Sequence, residues 1–184
     1  EDPESGTGTL YNLGSHMLDQ ALVLFGKPSS VIADIRTMRT GGKVDDNFEV
    51  WLGYPDTKVS ICGSYLVREP VPRYILHGTE GSFLKWGTDP QEKALNEGKL
   101  PAGDGWGKEN NADWGILHTT IDGKEYRQKY ETLPGNYHEY YNDIYHAIKE
   151  NRTPEVSALQ AGLVIRVIEA SFESVKTKKA IILD

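Results

Sequence analysis

Asn12, His16, Asp19 and Gln20 recur at i, i+4, i+7 and i+8, a spacing that lines side chains along one side of a helix. Within this set His16 is the group suited to exchanging a proton at physiological pH, because an imidazole titrates near neutrality. Asn12, one turn earlier, can hold a hydroxyl as donor or acceptor but cannot take a proton. Asp19 has two readings: it orients His16 from one turn away, or it holds a neighbouring loop. The helix thus carries an ionisable group beside an amide and a carboxylate, and the rest of the chain must say whether that group does chemistry. Taken alone, a helical histidine is more often a satisfied residue at a junction than a reacting group.

The helix that must present these groups lies in the same stretch, GTGTLYNLGSHMLDQALVLFGKP. At ~100° per residue, Leu10, Leu13, Met17, Ala21 and Leu24 predict one apolar face opposed to the polar stripe. Gly26 followed by Pro28 supplies the stop, a glycine able to take the left-handed cap and a residue unable to continue a helix.

Downstream the period changes from 3.6 to 2. Val31–Arg39, Phe48–Tyr54 and Lys58–Val67 read as strands, followed by Arg73–His77, a Gly-Thr-Glu-Gly turn, and Ser82–Trp86. Residues 87–114 hold five glycines, Gly87, Gly98, Gly103, Gly105 and Gly107. A short helix fits Pro90–Glu97 there, and the remainder reads as a long surface excursion. Ile116–Ile121 and Glu125–Tyr130 are joined by Asp122-Gly123, a hairpin signal. Tyr137–Lys149 predicts a helix with Tyr137, Tyr141, Ile144, Tyr145 and Ile148 on one side. Ser157 can cap another helix, with a stripe of Ala161, Val164, Ile165, Ile168, Phe172 and Val175, before a last strand at Lys178–Leu183. Strands in a run between helices predict an α+β fold: a single, mainly antiparallel open sheet with helices packed on one face.

Composition narrows the partners. Among 184 residues, 38% are hydrophobic and 26% charged, and the net charge is −7. An acidic chain of this kind lacks the basic patch that nucleic acid or an anionic membrane would require, and its apolar runs are too short to span a bilayer. Cys62 is the sole cysteine, so no intrachain disulfide and no cysteine-based metal site forms, which suits a reducing cytoplasm. His77, His118, His138 and His146 lack a companion ligand set, so no metal is expected. Trp86, Trp106 and Trp114 flank the long loop and offer stacking walls for a sugar, or ordinary packing. Tyr65, Arg68, Glu69 and Arg73 bracket two prolines and read as a solvated connection whose polar groups can approach a substrate. The opening EDPESGTG reads as a linker, so the chain is expected to be a piece of a longer protein. Gly6-Thr7-Gly8 is not a dinucleotide fingerprint, because Tyr11 stands where the third glycine belongs.

Three stretches in register carry a resemblance. GTGTLYNLGSHMLDQALVLFGKP resembles the first helix of the C-terminal domain of the Gfo/Idh/MocA oxidoreductase family. PRYILHGTEGSF resembles its later hairpin, and VSALQAGLVIRVIEASFESVKTKKAIIL its closing helix and strand. The resemblance covers nearly the whole chain, 1–184, as the substrate-side and oligomerisation domain of a two-domain enzyme. It implies a preceding Rossmann domain that binds NAD or NADP and carries the catalytic lysine. It also implies a hydroxylated small molecule, a sugar or polyol, as substrate, and homo-oligomer contacts through the open sheet face. His16 then falls where the family histidine meets the reacting hydroxyl, with Asn12 and Asp19 on the substrate side. The family's usual residue at the Asn12 position is Asp. That replacement supports a second reading, a catalytically inactive dimerisation or ligand-binding module of the same fold. Alone, the chain is expected neither to bind a dinucleotide nor to turn over.

Overall fold

The computed structural model describes Glu4 and residues 6–183, so half of the opening linker, Glu1–Pro3 and Ser5, lies outside the described residues. In chain order come a π-helical turn (Leu10–Gly14), α1 (Ser15–Phe25), β1 (Ser30–Arg36), β2 (Asn47–Gly53), β3 (Lys58–Ser64), β4 (Tyr74–His77) and β5 (Gly81–Lys85). After these follow α2 (Pro90–Asn96), β6 (Gly115–Ile121), β7 (Lys124–Tyr130), α3 (His138–Glu150), α4 (Ala158–Thr177) and β8 (Ile181–Ile182). They gather into two compact units, Glu1–Arg68 with Glu155–Asp184, and Glu69–Pro154.

The α+β class is the one the sequence predicts, and every strand pair is antiparallel. The strands are hydrogen-bonded as two four-stranded sheets, β3-β2-β1-β8 and β4-β5-β6-β7, where one continuous sheet is expected. The interruption falls at Leu66–Arg73. Pro70 and Pro72 have no backbone N–H to donate, so this stretch cannot extend a ladder.

In the first unit the register is set by alternation. Val31 faces Leu52, Ala33 faces Val50 and Ile35 faces Phe48. This face is covered by α1 and α4, whose Leu18, Val164, Val167 and Ile168 complete the core. Ile32 and Trp51, on the opposite face, are exposed. The cap expected at Ser157 is present and is a full capping box, the Ser157 hydroxyl accepting from Gln160 N and the Gln160 side chain accepting from Ser157 N. The buried face of α4 runs through Val164, Val167, Ile168, Ser171 and Ser174, and Ile165, expected inside, is exposed. Ser174 anchors it, accepting from Ala33 N at 3.2 Å and donating to Lys179 O at 2.7 Å. The last strand is shorter than expected because α4 runs through Thr177 and Lys178 takes the left-handed cap, φ 59°.

The second unit shows both turns read from sequence. Gly78 N donates to Gly81 O at 2.8 Å, and Asp122 and Gly123 both have positive φ, 50° and 74°, as a type I′ hairpin requires. The long β5–β6 connection is pinned from inside. Lys85 Nζ donates to Glu109 Oε1 at 2.8 Å, to Trp86 O at 2.9 Å and to Asp113 O at 2.8 Å. Gln91, 1% exposed, accepts from Trp106 Nε1 at 2.6 Å and from Tyr137 N at 3.1 Å. The stripe predicted on α3 is mostly uncovered: Ala147 is buried, whereas Tyr141, Tyr145 and Ile148 are exposed.

Candidate functional site

The polar stripe sits where the first helix is irregular. In the π turn, i→i+5 hydrogen bonds fit more residues into each turn than an α-helix holds. The buried side therefore drifts to Leu10, Gly14, Leu18 and Ala21. Leu13 and Leu24, predicted on the apolar face, are 42% and 59% exposed. Gly14 is required at this point, because a Cβ there would lie 2.5 Å from the Leu10 side chain. Asn12 and His16 face outward, one turn apart, on the exposed side of this segment.

The segment is held at its start by a residue the sequence reading passes over. Asp45 Oδ2 accepts the Leu10 N–H at 2.8 Å, and the Asp45 carbonyl accepts from Thr9 N at 3.0 Å and Thr9 Oγ1 at 2.9 Å. A remote carboxylate thus does the work of a helix cap, at the end where the helix dipole favours negative charge. Gly8 makes room for it: its φ is 102°, and a Cβ would overlap Asp45 Oδ1 at 1.9 Å.

Next door, Asp46 is 4% exposed. Its carboxylate accepts from Met38 N at 2.7 Å and Arg39 N at 3.1 Å, which bends the chain and ends β1 before the expected Arg39. Arg39 Nε lies 3.7 Å from Asp46 Oδ2, and the guanidinium lies over the Tyr65 ring, 5.2 Å from its centroid. Asn12 Nδ2 donates to Tyr65 Oη at 3.5 Å. Asp45, Asp46 and Arg39 carry no sequence motif; the available signal is the paired aspartates ending the GGKVDD turn, a setting where Asp commonly bonds nearby backbone.

Of the predicted site residues, Asn12 and His16 share the exposed surface, and Tyr65 joins Asn12 from the end of β3. Asp19 is half-buried and makes no hydrogen bond to His16. No described side chain hydrogen-bonds or ion-pairs with the His16 ring, which is open to a ligand.

The remaining histidines are occupied locally. His77 Nδ1 meets Ser82 Oγ at 2.8 Å, His118 Nε2 meets Glu125 Oε1 at 2.6 Å, His138 Nε2 meets the Pro101 carbonyl at 2.8 Å, and His146 Nδ1 meets Glu150 Oε1 at 2.8 Å. Among the described residues no three His, Cys, Asp or Glu groups cluster as a metal site, and no helix is long and apolar enough to cross a membrane. The second unit has an open cleft of ≈ 540 Å³ whose lining includes Gln91, Lys93, Lys99, Trp106 and Lys108. Lys93 and Lys99 there pair with Glu97, whose carboxyl is held below the usual range chiefly by the Lys99 hydrogen bond.

A dinucleotide does not fit the glycine-rich start of this chain. A pyrophosphate needs free N–H groups at a helix N-terminus, and here the Asp45 carboxylate occupies the Leu10 N–H with negative charge of its own.

Comparisons with known proteins give the family. The family model for "Oxidoreductase family, C-terminal alpha/beta domain" matches residues 1–183. Scyllo-inositol 2-dehydrogenase (NADP(+)) IolW of Bacillus subtilis is 41% identical over 187 residues, covering 100% of this chain and 51% of that protein. A solved structure from Bacteroides fragilis is 45% identical with a TM-score of 0.89, over 96% of this chain and 53% of the other. The yvaA protein of Bacillus subtilis is 37% identical with a TM-score of 0.94, over 99% and 53%. The chain spans about half the length of the curated relatives it matches.

Proposed function

This chain belongs to the Gfo/Idh/MocA oxidoreductase family, as its C-terminal alpha/beta domain, and we propose that it forms the substrate-side half of an NAD(P)-dependent enzyme acting on a sugar, polyol or related hydroxylated small molecule. The observation that carries this is the exposed Asn12–His16 pair on a helical turn fixed from outside by Asp45. His16 takes the proton of a substrate hydroxyl on oxidation, or returns it on reduction. Asn12 holds that substrate through its amide, and Asp19 adds a carboxylate on the same side. The nicotinamide cofactor, which supplies the hydride acceptor, belongs to a preceding nucleotide-binding half.

Leu76, Ile121, Tyr126 and Tyr130 are exposed on one face of the β4–β7 sheet. An apolar sheet face of this kind supports a homo-oligomer built across it. The single cysteine supports a cytoplasmic setting.

Scyllo-inositol with NADP⁺, named for IolW, is the first pair to assay on the full-length protein. Wild type turns over, and His16→Ala lowers kcat by about 100-fold or more, the usual range for losing a general base. An unchanged kcat in His16→Ala overturns the proton-transfer role. The inactive-module reading rests on Asn12 in place of the family's Asp, and binding of the polyol without turnover by wild type would establish it instead.

A further inference from the structure

We propose that Tyr65 is a substrate-recognition residue, pairing with Asn12 to grip one ring hydroxyl of the substrate. The proposal rests on the substrate-side reading above and names a group that the family resemblance does not.

The chemistry follows from how the two side chains meet. Asn12 Nδ2 donates to Tyr65 Oη at 3.5 Å, across 53 positions of sequence. That contact uses an amide N–H and one phenol lone pair. It leaves the phenol proton as a donor and the Asn12 carboxamide oxygen as an acceptor, side by side. A hydroxyl both donates and accepts at one oxygen, so the free phenol proton and the free carboxamide oxygen can grip it together. Both groups are open to a ligand, Tyr65 being 47% exposed and Asn12 exposed. The nearby charges do not compete, since Arg39 and Asp46 face each other.

The phenol is also held. Tyr65 N donates to Asp46 O at 3.1 Å, and the Arg39 guanidinium lies against the ring. Arg39 is fixed in turn by the buried Asp46 carboxylate, which accepts its backbone N–H. A recognition group already ordered before binding loses less entropy when the ligand arrives. The ring alone would satisfy Arg39, as a phenylalanine could; the hydroxyl is what the Asn12 contact and the ligand use.

The test is Tyr65→Phe in the full-length protein, assayed with NADP⁺ on scyllo-inositol and its mono- and dideoxy analogues, with His16→Ala in parallel. Loss of one neutral hydrogen bond raises KM about 3- to 10-fold, with a smaller fall in kcat. On the analogue lacking the gripped hydroxyl the penalty of Tyr65→Phe disappears, because enzyme and substrate have each lost the same interaction. An equal penalty on every analogue, or none on any, overturns the proposal. If His16→Ala collapses kcat while Tyr65→Phe is silent, only the Tyr65 role falls. If His16→Ala is silent, the substrate-side reading falls and takes this role with it.

Discussion

Asp45 and Leu10 are joined by a hydrogen bond of 2.8 Å between a carboxylate oxygen and a backbone N–H 35 residues earlier. The helix that bears His16 thus starts from a residue on the turn between β1 and β2. Placement of the candidate site is therefore a tertiary property, even though its polar groups are neighbours in sequence.

Removing that carboxylate should loosen the start of the helix. Asp45→Ala is expected to cost about 1–2 kcal/mol, the scale of losing a helix cap, read from denaturant unfolding. Asp45→Asn keeps an acceptor oxygen and should cost less. Equal stability of wild type and Asp45→Ala would mean that the helix start is held without the carboxylate, by the residue 45 carbonyl accepting from Thr9 and by packing of Leu10.

A carboxylate one turn before His16 makes a directional prediction about rate. In Asn12→Asp the added negative charge stabilises the imidazolium that forms as the base takes its proton, so kcat of the full-length protein is expected to rise. A kcat that falls or stays in place counts against His16 as the base.

In the second unit Lys85 and Glu109 form an ion pair of 2.8 Å with both side chains about nine-tenths or more covered, and Glu109 Oε2 is buried without a partner. Lys85→Met strands that carboxylate and should destabilise the protein by about 3–5 kcal/mol. Adding Glu109→Leu should recover much of the loss, since the stranded charge goes with it. Thermal unfolding of wild type, the single variant and the double variant compares the three directly.

Cys62 is exposed, yet its thiol is pushed above its ordinary pKa, mainly by partial desolvation, with the Glu49 carboxylate adding to the shift and the Ser60 hydrogen bond opposing it. The thiolate is the reacting form, so alkylation by iodoacetamide should be slow at neutral pH and accelerate only above the range of an ordinary cysteine. Fast modification at neutral pH, followed by mass spectrometry, would contradict that environment.

Much of the fold is legible in the residues because its signals are local. Alternation marks β1 and β2, Asp122-Gly123 marks the hairpin, and Ser157 marks the start of α4. Each depends on backbone and side-chain preferences within a few residues. The phase of the first helix is different. A uniform helical period puts Leu13 and Leu24 inside, whereas the π turn leaves both exposed and buries Leu18. Whether a turn widens depends on what packs beneath it, here Phe48 and Leu10 against Gly14.

Residue order alone carries the amide and the imidazole one helical turn apart, the antiparallel α+β class, and the likeness to the C-terminal domain of the Gfo/Idh/MocA oxidoreductase family. Helical spacing and strand alternation are written in neighbouring residues, so composition and order suffice for them. Folding is what lets Asp45 hold the helix start, sets Arg39, fixed locally by Asp46, against Tyr65, and brings Tyr65 to Asn12. The Asp45–Leu10 and Asn12–Tyr65 contacts join residues 35 and 53 positions apart, and their geometry exists only once the sheet between them has formed.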